Sequence, residues 1–291
     1  MTTKPILVIG GTGLLGKPVA QQLKADGFNV RLLARNPEKA KSMLGDGYQI
    51  FKGSYEDSEA LKAALTGCDG VHINLKGGPK DEDYDRVDHH GTRIIAEAAK
   101  AAGVGRVSII SAYAVSEAKA DTPESIAKFK GEQALKASDV PYTIFRCSWF
   151  METLPLFVRG KSISLIGNQA HPLHWIAAQD YARMVSRAYQ TQETLNKELY
   201  IFGPEAYTMG DAMKIYTEIA TRGVKVSAIS TRMLSILGMI SFDPELKGMA
   251  TLMGHYERFG EDGSAEEANR LLSAPTITLR DWSERNKLIR K

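Results

Sequence analysis

Cysteine is nearly missing from this chain: Cys68 and Cys147 are the two among 291 residues. Both fall in strand-like or pre-strand contexts, and neither has the spacing of a metal site. They read as buried free thiols, and the expected compartment is a reducing cytoplasm. A charge excess of one sign is missing too. Lys and Arg number 37 against 34 Asp and Glu, and the net +3 gives no electrostatic case for nucleic-acid binding. Long apolar runs are absent. The longest near the C-terminal end, residues 233–242, falls far short of the roughly 20 residues that span a membrane. Residues 1–4 are too few and too polar for a signal peptide. Without a Gly-x-Ser-x-Gly elbow, hydrolase chemistry has no support. What remains, 43% hydrophobic and 24% charged, is the composition of an ordinary globular protein. Its length suits one large domain, or a core domain with a smaller one.

Glycine is where the chain becomes specific. An apolar run of strand length, residues 5–9, ends in Gly10, Gly11, Thr12, Gly13, Leu14, Leu15 and Gly16. A helical pattern with Val19, Ala20 and Leu23 follows. Gly10 lets the chain turn sharply out of the strand. Gly13 leaves room for a pyrophosphate at the helix N-terminus, where unpaired N–H groups and the helix dipole favour anions. Gly16 lets helix and sheet lie close. A triplet of glycines also serves as a plain turn. Its place between strand and helix selects dinucleotide binding, with Gly10, Thr12, Gly13, Leu14, Leu15 and Gly16 at the cofactor.

Strand and helix patterns alternate through the first half. Strands are expected at 6–9, 29–34, 48–52, 70–74, 107–111 and 142–146. Helices are expected at 15–26, 37–44, 58–65, 84–102 and 124–137, with another near 150–158. Such alternation implies right-handed crossovers, a parallel sheet and helices on both faces. After about residue 150 the rhythm changes. Short strands at 162–166, 174–176 and 198–202 mix with helices at 178–189, 209–221, 231–240, 244–259 and 265–272, then a terminal helix over 278–291. The expected architecture is a doubly wound α/β Rossmann sheet with a smaller C-terminal α/β cap. Residues 1–150 form the NAD(P)-binding part, and 151–291 a substrate-binding cap interleaved with it. Ligands of open α/β sheets bind at the C-terminal ends of the strands.

The end of the second strand separates the two nicotinamide cofactors. An acidic residue there binds a ribose 2′-hydroxyl, and an arginine accepts a 2′-phosphate. Here Arg35 stands at the tip, Lys39 follows one turn later, and no acidic residue occupies the tip itself. Two cations suit a phosphate dianion. NADP is the expected cofactor, with NAD possible. Arg31 lies inside the strand and is the weaker contact.

These pieces resemble the NmrA-like, atypical extended branch of the short-chain dehydrogenase/reductase superfamily. The resemblance runs through Gly10–Gly16, residues 30–37, and Lys52, Gly53, Ser54, Tyr55, Glu56 and Asp57. It continues through Lys128, Glu132 and Leu135 to Val140, Pro141, Tyr142, Thr143 and Arg146, and more loosely to residues 179–182. Members include quinone and azo-dye reductases, and redox-sensing regulators that bind dinucleotide. After the third strand the family often has an Asp at the adenine edge. Ser54 stands there, leaving Asp57 as the other polar group. The larger departure is catalytic. Full members carry Tyr and Lys four residues apart on one helix, the Tyr moving the proton and the Lys holding the ribose. With Lys128 in the lysine position, Glu124 replaces the tyrosine; with Lys130, Ile126 does. The first register keeps Glu132 and Leu135 on the family's spacing. Glu132 could equally form an i,i+4 pair with Lys128.

Hydride transfer depends on positioning more than on a dedicated acid, because the cofactor carries the chemistry. Asn74, Lys76, Ser111 and Tyr113 sit at expected strand tips and could serve. Ser111 matches a usual active-site hydroxyl. Tyr113 reads either as a cleft residue or as a loop aromatic packed on the sheet. Glycines in the loop Lys76, Gly77, Gly78 and Pro79 could bring it near the cofactor. His89 and His90 are adjacent and are expected on different helix faces, and no metal site is expected. His171 and His174 flank Pro172 and Leu173 on an expected loop or short strand, and His72 reads as structural. Late methionines (Met209, Met213, Met233, Met239, Met249, Met253) suit a cap core or a pliable lid. The expected function is NADPH-dependent reduction of a quinone-like or other small acceptor, with Lys128, Ser111 and Tyr113 as catalytic candidates. Asn74 and Lys128 also touch the cofactor in this reading. The alternative is a non-catalytic NADP(H)-sensing regulator with a protein partner. A sugar-nucleotide epimerase needs the missing tyrosine. Nucleic acid and membrane are not expected partners.

Overall fold

Ile6, Leu7, Val8 and Ile9 are all buried, so the first strand must be covered on both faces. Alternate residues serve the two faces. Ile6 and Val8 join the core beneath one helical layer, and Leu7 and Ile9 the core beneath the other. The computed structural model describes residues 4–78, 80–221 and 223–287. Its first half repeats strand and helix: β1 (Ile6–Ile9), α1 (Gly16–Ala25), β2 (Val30–Ala34), α2 (Pro37–Leu44), β3 (Gln49–Lys52), α3 (Ser58–Leu65) and β4 (Gly70–Ile73). Asn36 caps α2 and Asp57 caps α3, each accepting from a first-turn N–H.

The single helix expected over 84–102 is instead three continuous pieces. They are α4 (Asp81–Tyr84), a π-helical stretch (Asp85–Gly91) and α5 (Thr92–Ala101). The wider π turn corrects the expectation for the two histidines, because residues four and five apart come to share a face. His89 Nδ1 lies 2.9 Å from Asp85 Oδ1 and His90 Nε2 3.1 Å from Asp85 Oδ2. Their rings stack with centroids 4.3 Å apart. The same turn sends Asp88 inward.

Beyond it come β5 (Arg106–Ala112), a 3-10 turn (Glu117–Lys119), α6 (Pro123–Ala137) and β6 (Tyr142–Cys147). A capping box of Thr122 and Ser125, with Pro123 in the first turn, starts α6. Gly131 lets α6 rest against the π stretch, since a Cβ there would lie 2.2 Å from the Asp88 carbonyl oxygen.

After a 3-10 segment (Met151–Phe157) the chain forms β7 (Val158–Arg159), β8 (Ser162–Ile166), β9 (Leu173–Trp175), α7 (Ala178–Ala188), β10 (Lys197–Ile201) and β11 (Glu205–Tyr207). Then follow α8 (Met209–Ala220), β12 (Lys225–Ile229), α9 (Thr231–Ile240), α10 (Pro244–Arg258), α11 (Glu266–Leu272) and α12 (Leu279–Arg285). The central sheet is parallel, in the order β10-β6-β5-β4-β1-β2-β3. This is the doubly wound Rossmann sheet. β10 pairs with β6, and α7 packs along α1, joined by a hydrogen bond from Ser186 to Asp26 of 2.6 Å. β12, β8 and β7 make a small sheet, and β9 pairs antiparallel with β11. Over these lies a separate core of Met209, Met213, Tyr216, Met253, Trp175 and Trp282. Met233 and Met239 are exposed instead. The sequence pattern does not reveal β7, β11 or β12. The last four residues of the expected terminal helix, and Pro79, lie outside the described residues.

Candidate functional site

The turn after β1 assigns different tasks to its glycines. Gly10 has φ +85°, and a Cβ there would lie 2.3 Å from the Asn74 carbonyl oxygen. A Cβ on Gly16 would lie 2.2 Å from the Gly10 carbonyl oxygen. Both are demanded by packing. A Cβ on Gly13 meets one atom within 4 Å, the Gly10 carbonyl oxygen at 3.2 Å. Its bare face looks into open space. α1 begins just beyond, with Leu15 as N-cap and no side chain capping it. The Lys17 N–H is taken by the Gly13 carbonyl at 3.0 Å and Pro18 has none, which leaves the N–H groups of the turn itself and of Gly16 for an anion.

The turn forms one end of a cleft of about 580 Å³. Gly10, Thr12, Gly13, Leu14 and Leu15 line it from β1 and α1; Asn74, Leu75 and Lys76 from the end of β4. Ser111, Ala112 and Tyr113 follow from β5, and Glu124 and Lys128 from α6. Cys147, Ser148, Trp149 and Phe150 close one wall after β6, and Leu252 and Tyr256 of α10 face them. The structure therefore gathers most of the residues singled out in the sequence. Among the described residues, three buried polar atoms in this lining have no hydrogen-bond partner: Asn74 Oδ1, Glu124 Oε2 and Trp149 Nε1. Unpartnered buried polar atoms are costly, and a bound ligand would relieve them.

Lys128 Nζ donates to Asp88 Oδ1 at 2.7 Å, and the Gly77 N–H to Asp88 Oδ2 at 2.8 Å. Asp88 thus ties the lysine to the loop after β4. Burial alone would lower the Lys128 pKa, but the charges of Asp88 and Glu124 outweigh it and hold the ammonium well above its ordinary range. Lys130 is exposed and outside the lining, so of these two lysines Lys128 belongs to the cleft. The possible Lys128–Glu132 pair does not form. Glu132 is fully buried and accepts from Arg146 Nη2 at 2.6 Å and from Ser111 Oγ at 2.6 Å. Burial raises its pKa against the pull of Arg146. The Ser111 hydrogen is therefore committed to Glu132, leaving the oxygen's lone pairs to the cleft.

Tyr113 is 2% exposed and donates to the Phe259 carbonyl at 3.3 Å. Burial drives its pKa far up. Its phenol is turned into the packing against Tyr256, 5.6 Å between ring centroids. Arg35 and Lys39 are exposed at the tip of β2 and the start of α2, outside the cleft lining, and neither side chain has a partner among the described residues. Arg31 is occupied, donating to the carbonyls of Ala64 and Thr66 at 3.0 and 2.6 Å. Asp57 accepts from the Ala60 N–H as the cap of α3. His72 is fully buried, 2.8 Å from Ser108 Oγ. Asp85, His89 and His90 bring three ligand-type atoms within 4.8 Å of one another, and none of them lines the cleft. Both thiols are free and buried.

Sequence reasoning misses Ser148, Trp149, Leu252 and Tyr256. Tyr84 is also missed; it packs beside the loop after β4, with its pKa raised to about 12 by burial and by the charges of Glu124 and Asp88. The end of β6 could have flagged Ser148, Trp149 and Phe150, since ligands gather beyond strand ends. A helix over 244–259 is expected from the sequence, but nothing local marks its Leu252 and Tyr256 as cleft residues.

A parallel sheet with a glycine turn opening onto such a cleft defines a nucleotide-binding α/β protein. Residues 10–188 match the NAD(P)H-binding family, and the chain belongs to it. The chain is 29% identical over 240 residues to the photosystem II assembly factor Ycf39 of Trieres chinensis, covering 81% of this chain and 75% of that one. It is 28% identical over 282 residues to the (4-alkanoyl-5-oxo-2,5-dihydrofuran-3-yl)methyl phosphate reductase of Streptomyces griseus, covering 96% of each. The fold matches an NADPH-dependent quinone oxidoreductase of Escherichia coli, complexed with NADPH, at TM-score 0.75. That match covers 96% of this chain and 99% of the other at 21% identity, a likeness of fold. The architecture is that of an NAD(P)H-binding oxidoreductase. Among the described residues no helix is long and apolar enough to cross a membrane.

Proposed function

We propose that the protein is an NADPH-dependent reductase of a quinone-like or other small conjugated acceptor. The observation that carries this reading is the open cleft, which joins the bare face of Gly13 to Lys128 and continues into an apolar wall of Leu75, Phe150, Leu156 and Leu252. A protein that only held the cofactor would have no need of the space beyond it. The residues present fit a dinucleotide. The N–H groups at the start of α1 would take the pyrophosphate, with Thr12, Gly13, Leu14 and Leu15 around it. Arg35 and Lys39 would meet a 2′-phosphate, and Lys128 with Asn74 the nicotinamide half. NADPH supplies a hydride when bound.

The chain's own residues position and insulate the reactants. Lys128, held charged by Asp88, would bind ribose hydroxyls and stabilise negative charge on the acceptor. Ser111 would offer an acceptor lone pair, and Leu75, Phe150 and Leu252 would exclude water from one face. No phenol stands one turn before Lys128, so acceptors that delocalise charge are favoured over simple ketones, whose alkoxide needs a proton in the transition state.

NADPH and NADH consumption with a panel of quinones, dyes and ketones tests the reading. Quinones with NADPH should turn over and simple ketones should be poor. Lys128→Ala should depress turnover and cofactor affinity together. Tight NADPH binding with no consumption by any acceptor would defeat it. That outcome favours a second reading, a cofactor-sensing protein that docks a partner. An exposed apolar face supports that reading: Met233, Ile236, Leu237, Met239, Ile240 and Phe242 are each at least 41% exposed.

A further inference from the structure

The inner face of the π turn has a clear task, since Asp88 there holds Lys128 and the Gly77 N–H. Its outer face carries a second cluster. In an α-helix a residue five positions on is turned about 140° away, so Asp85 and His90 would look in different directions. The extra residue of the π turn closes that angle, and such turns recur at functional sites. Three side chains of the segment Asp85–Gly91 thereby converge. His89 presents Nδ1 to one oxygen of the Asp85 carboxylate at 2.9 Å, and His90 presents Nε2 to the other at 3.1 Å. One ligand-type atom from each residue lies within 4.8 Å of the other two. The imidazoles stack with centroids 4.3 Å and planes 29° apart, so both rings aim a nitrogen at the same carboxylate. Separations of about 3 Å are what neighbouring ligands show around one ion with bonds of about 2.1 Å. An ion pair needs a single imidazole. Here two share one carboxylate, and protonating both would set two cations face to face. Two neutral imidazoles and a carboxylate are instead a ligand set for a divalent first-row metal ion. Asp85 and His90 are each 47% exposed and His89 21%, so an ion can enter from solvent and keep water on its remaining positions. Among the described residues no other group of three such side chains converges in this way.

We propose that Asp85, His89 and His90 form a surface site for a divalent transition-metal ion such as Zn²⁺, which staples the π turn. The ion joins three side chains across the outer face of the turn whose inner face carries Asp88. None of the three lines the cleft, so the role is structural, and it does not depend on what the cleft reduces. The exposed Lys130, whose charge also acts on Asp85, competes with the ion for the carboxylate.

The test uses the full chain, freed of metal by a chelator, and Zn²⁺ alone. Calorimetry should show saturable binding with a micromolar Kd. His90→Ala and Asp85→Asn, both at exposed positions, should fold as the wild type does and each weaken binding at least about tenfold. His174→Ala removes another imidazole paired with a carboxylate and should bind like the wild type. Lys130→Ala should bind more tightly. In proton–nitrogen correlation spectra of the imidazoles, Zn²⁺ should shift His89 Nδ1 and His90 Nε2 and leave His174 in place. It should also raise the Tm of the wild type and not that of His90→Ala. A cluster serving only as a pair of hydrogen bonds would show none of these metal effects. No saturable binding by the wild type, or binding that survives unchanged in folded His90→Ala and Asp85→Asn, would overturn the proposal. NADPH consumption is not among the readouts, so the metal site and the reductase reading stand or fall separately.

Discussion

Gly13 and Gly16 stand three residues apart and answer different demands. A side chain at Gly16 collides with the Gly10 carbonyl, whereas one at Gly13 projects into the cleft. Gly16→Ala should destabilise the fold by about 1–3 kcal/mol, the usual cost of overpacking, measured by urea denaturation. Gly13→Val should leave the fold largely intact and abolish cofactor binding. Calorimetry that finds unchanged NADPH affinity in folded Gly13→Val would contradict the placement of the pyrophosphate. Arg35 carries the cofactor preference. Losing one charge-assisted phosphate contact costs about 1.5–3 kcal/mol, so Arg35→Ala should weaken NADPH binding roughly ten- to hundredfold and barely alter NADH binding. Equal weakening of both, or a wild type that prefers NADH, would refute the assignment. The glycine turn was legible because its signal is local, a strand, four glycines and a helix within a dozen residues. The partners of the charged groups were not. Lys128 meets Asp88 from forty positions away, and Glu132 meets Arg146 from a neighbouring strand. Helical spacing offers no sign of either pairing.

Among the elements, β4 carries a prediction that depends on pH. His72 is buried between Ser108 and Tyr181, 2.8 and 3.3 Å away. Burial pushes its pKa down to about 3 from an ordinary 6.5, outweighing a smaller opposing effect of the neighbouring Asn74 amide. The unfolded chain therefore binds a proton below 6.5 that the native chain refuses until about 3. The stability His72 supports is complete above 6.5 and falls as pH drops toward 3, by about 1.4 kcal/mol per unit. Denaturation of wild type and His72→Gln across this range should show a shallower acid loss in the variant. Identical slopes would contradict the account. The π turn belongs to the same scale. A helix over 84–102 was readable from Val87, Ile94, Ile95 and Ala98, but the extra residue in one turn was not. Its sign in the chain is indirect: Gly131, forty residues later, is what permits α6 to lie against it.

For the whole molecule, the alternation of strands and helices announced the parallel sheet, and the break in rhythm near residue 150 falls where the chain leaves β6 for the 3-10 segment and the small sheet. β12 has three of its five residues exposed, and its alternation through Lys225, Val226, Ser227 and Ala228 is too short to mark a strand by itself. The strand expected at 198–202 became β10, the edge of the central sheet, a placement set by its neighbour β6 rather than by its own composition. The cleft could not be read at all in one respect. Its far wall comes from Leu252 and Tyr256, more than a hundred residues beyond Lys128, and only the packing of α10 over the strand ends brings them there. The central claim is that this space holds NADPH and an acceptor together. A single-turnover experiment tests it most directly: protein loaded with NADPH is mixed with excess 1,4-naphthoquinone, and the loss of NADPH and the gain of hydroquinone are followed together. The account predicts equal and simultaneous changes in the wild type and neither in Gly13→Val. Bound NADPH that persists unchanged in the presence of the quinone would contradict it.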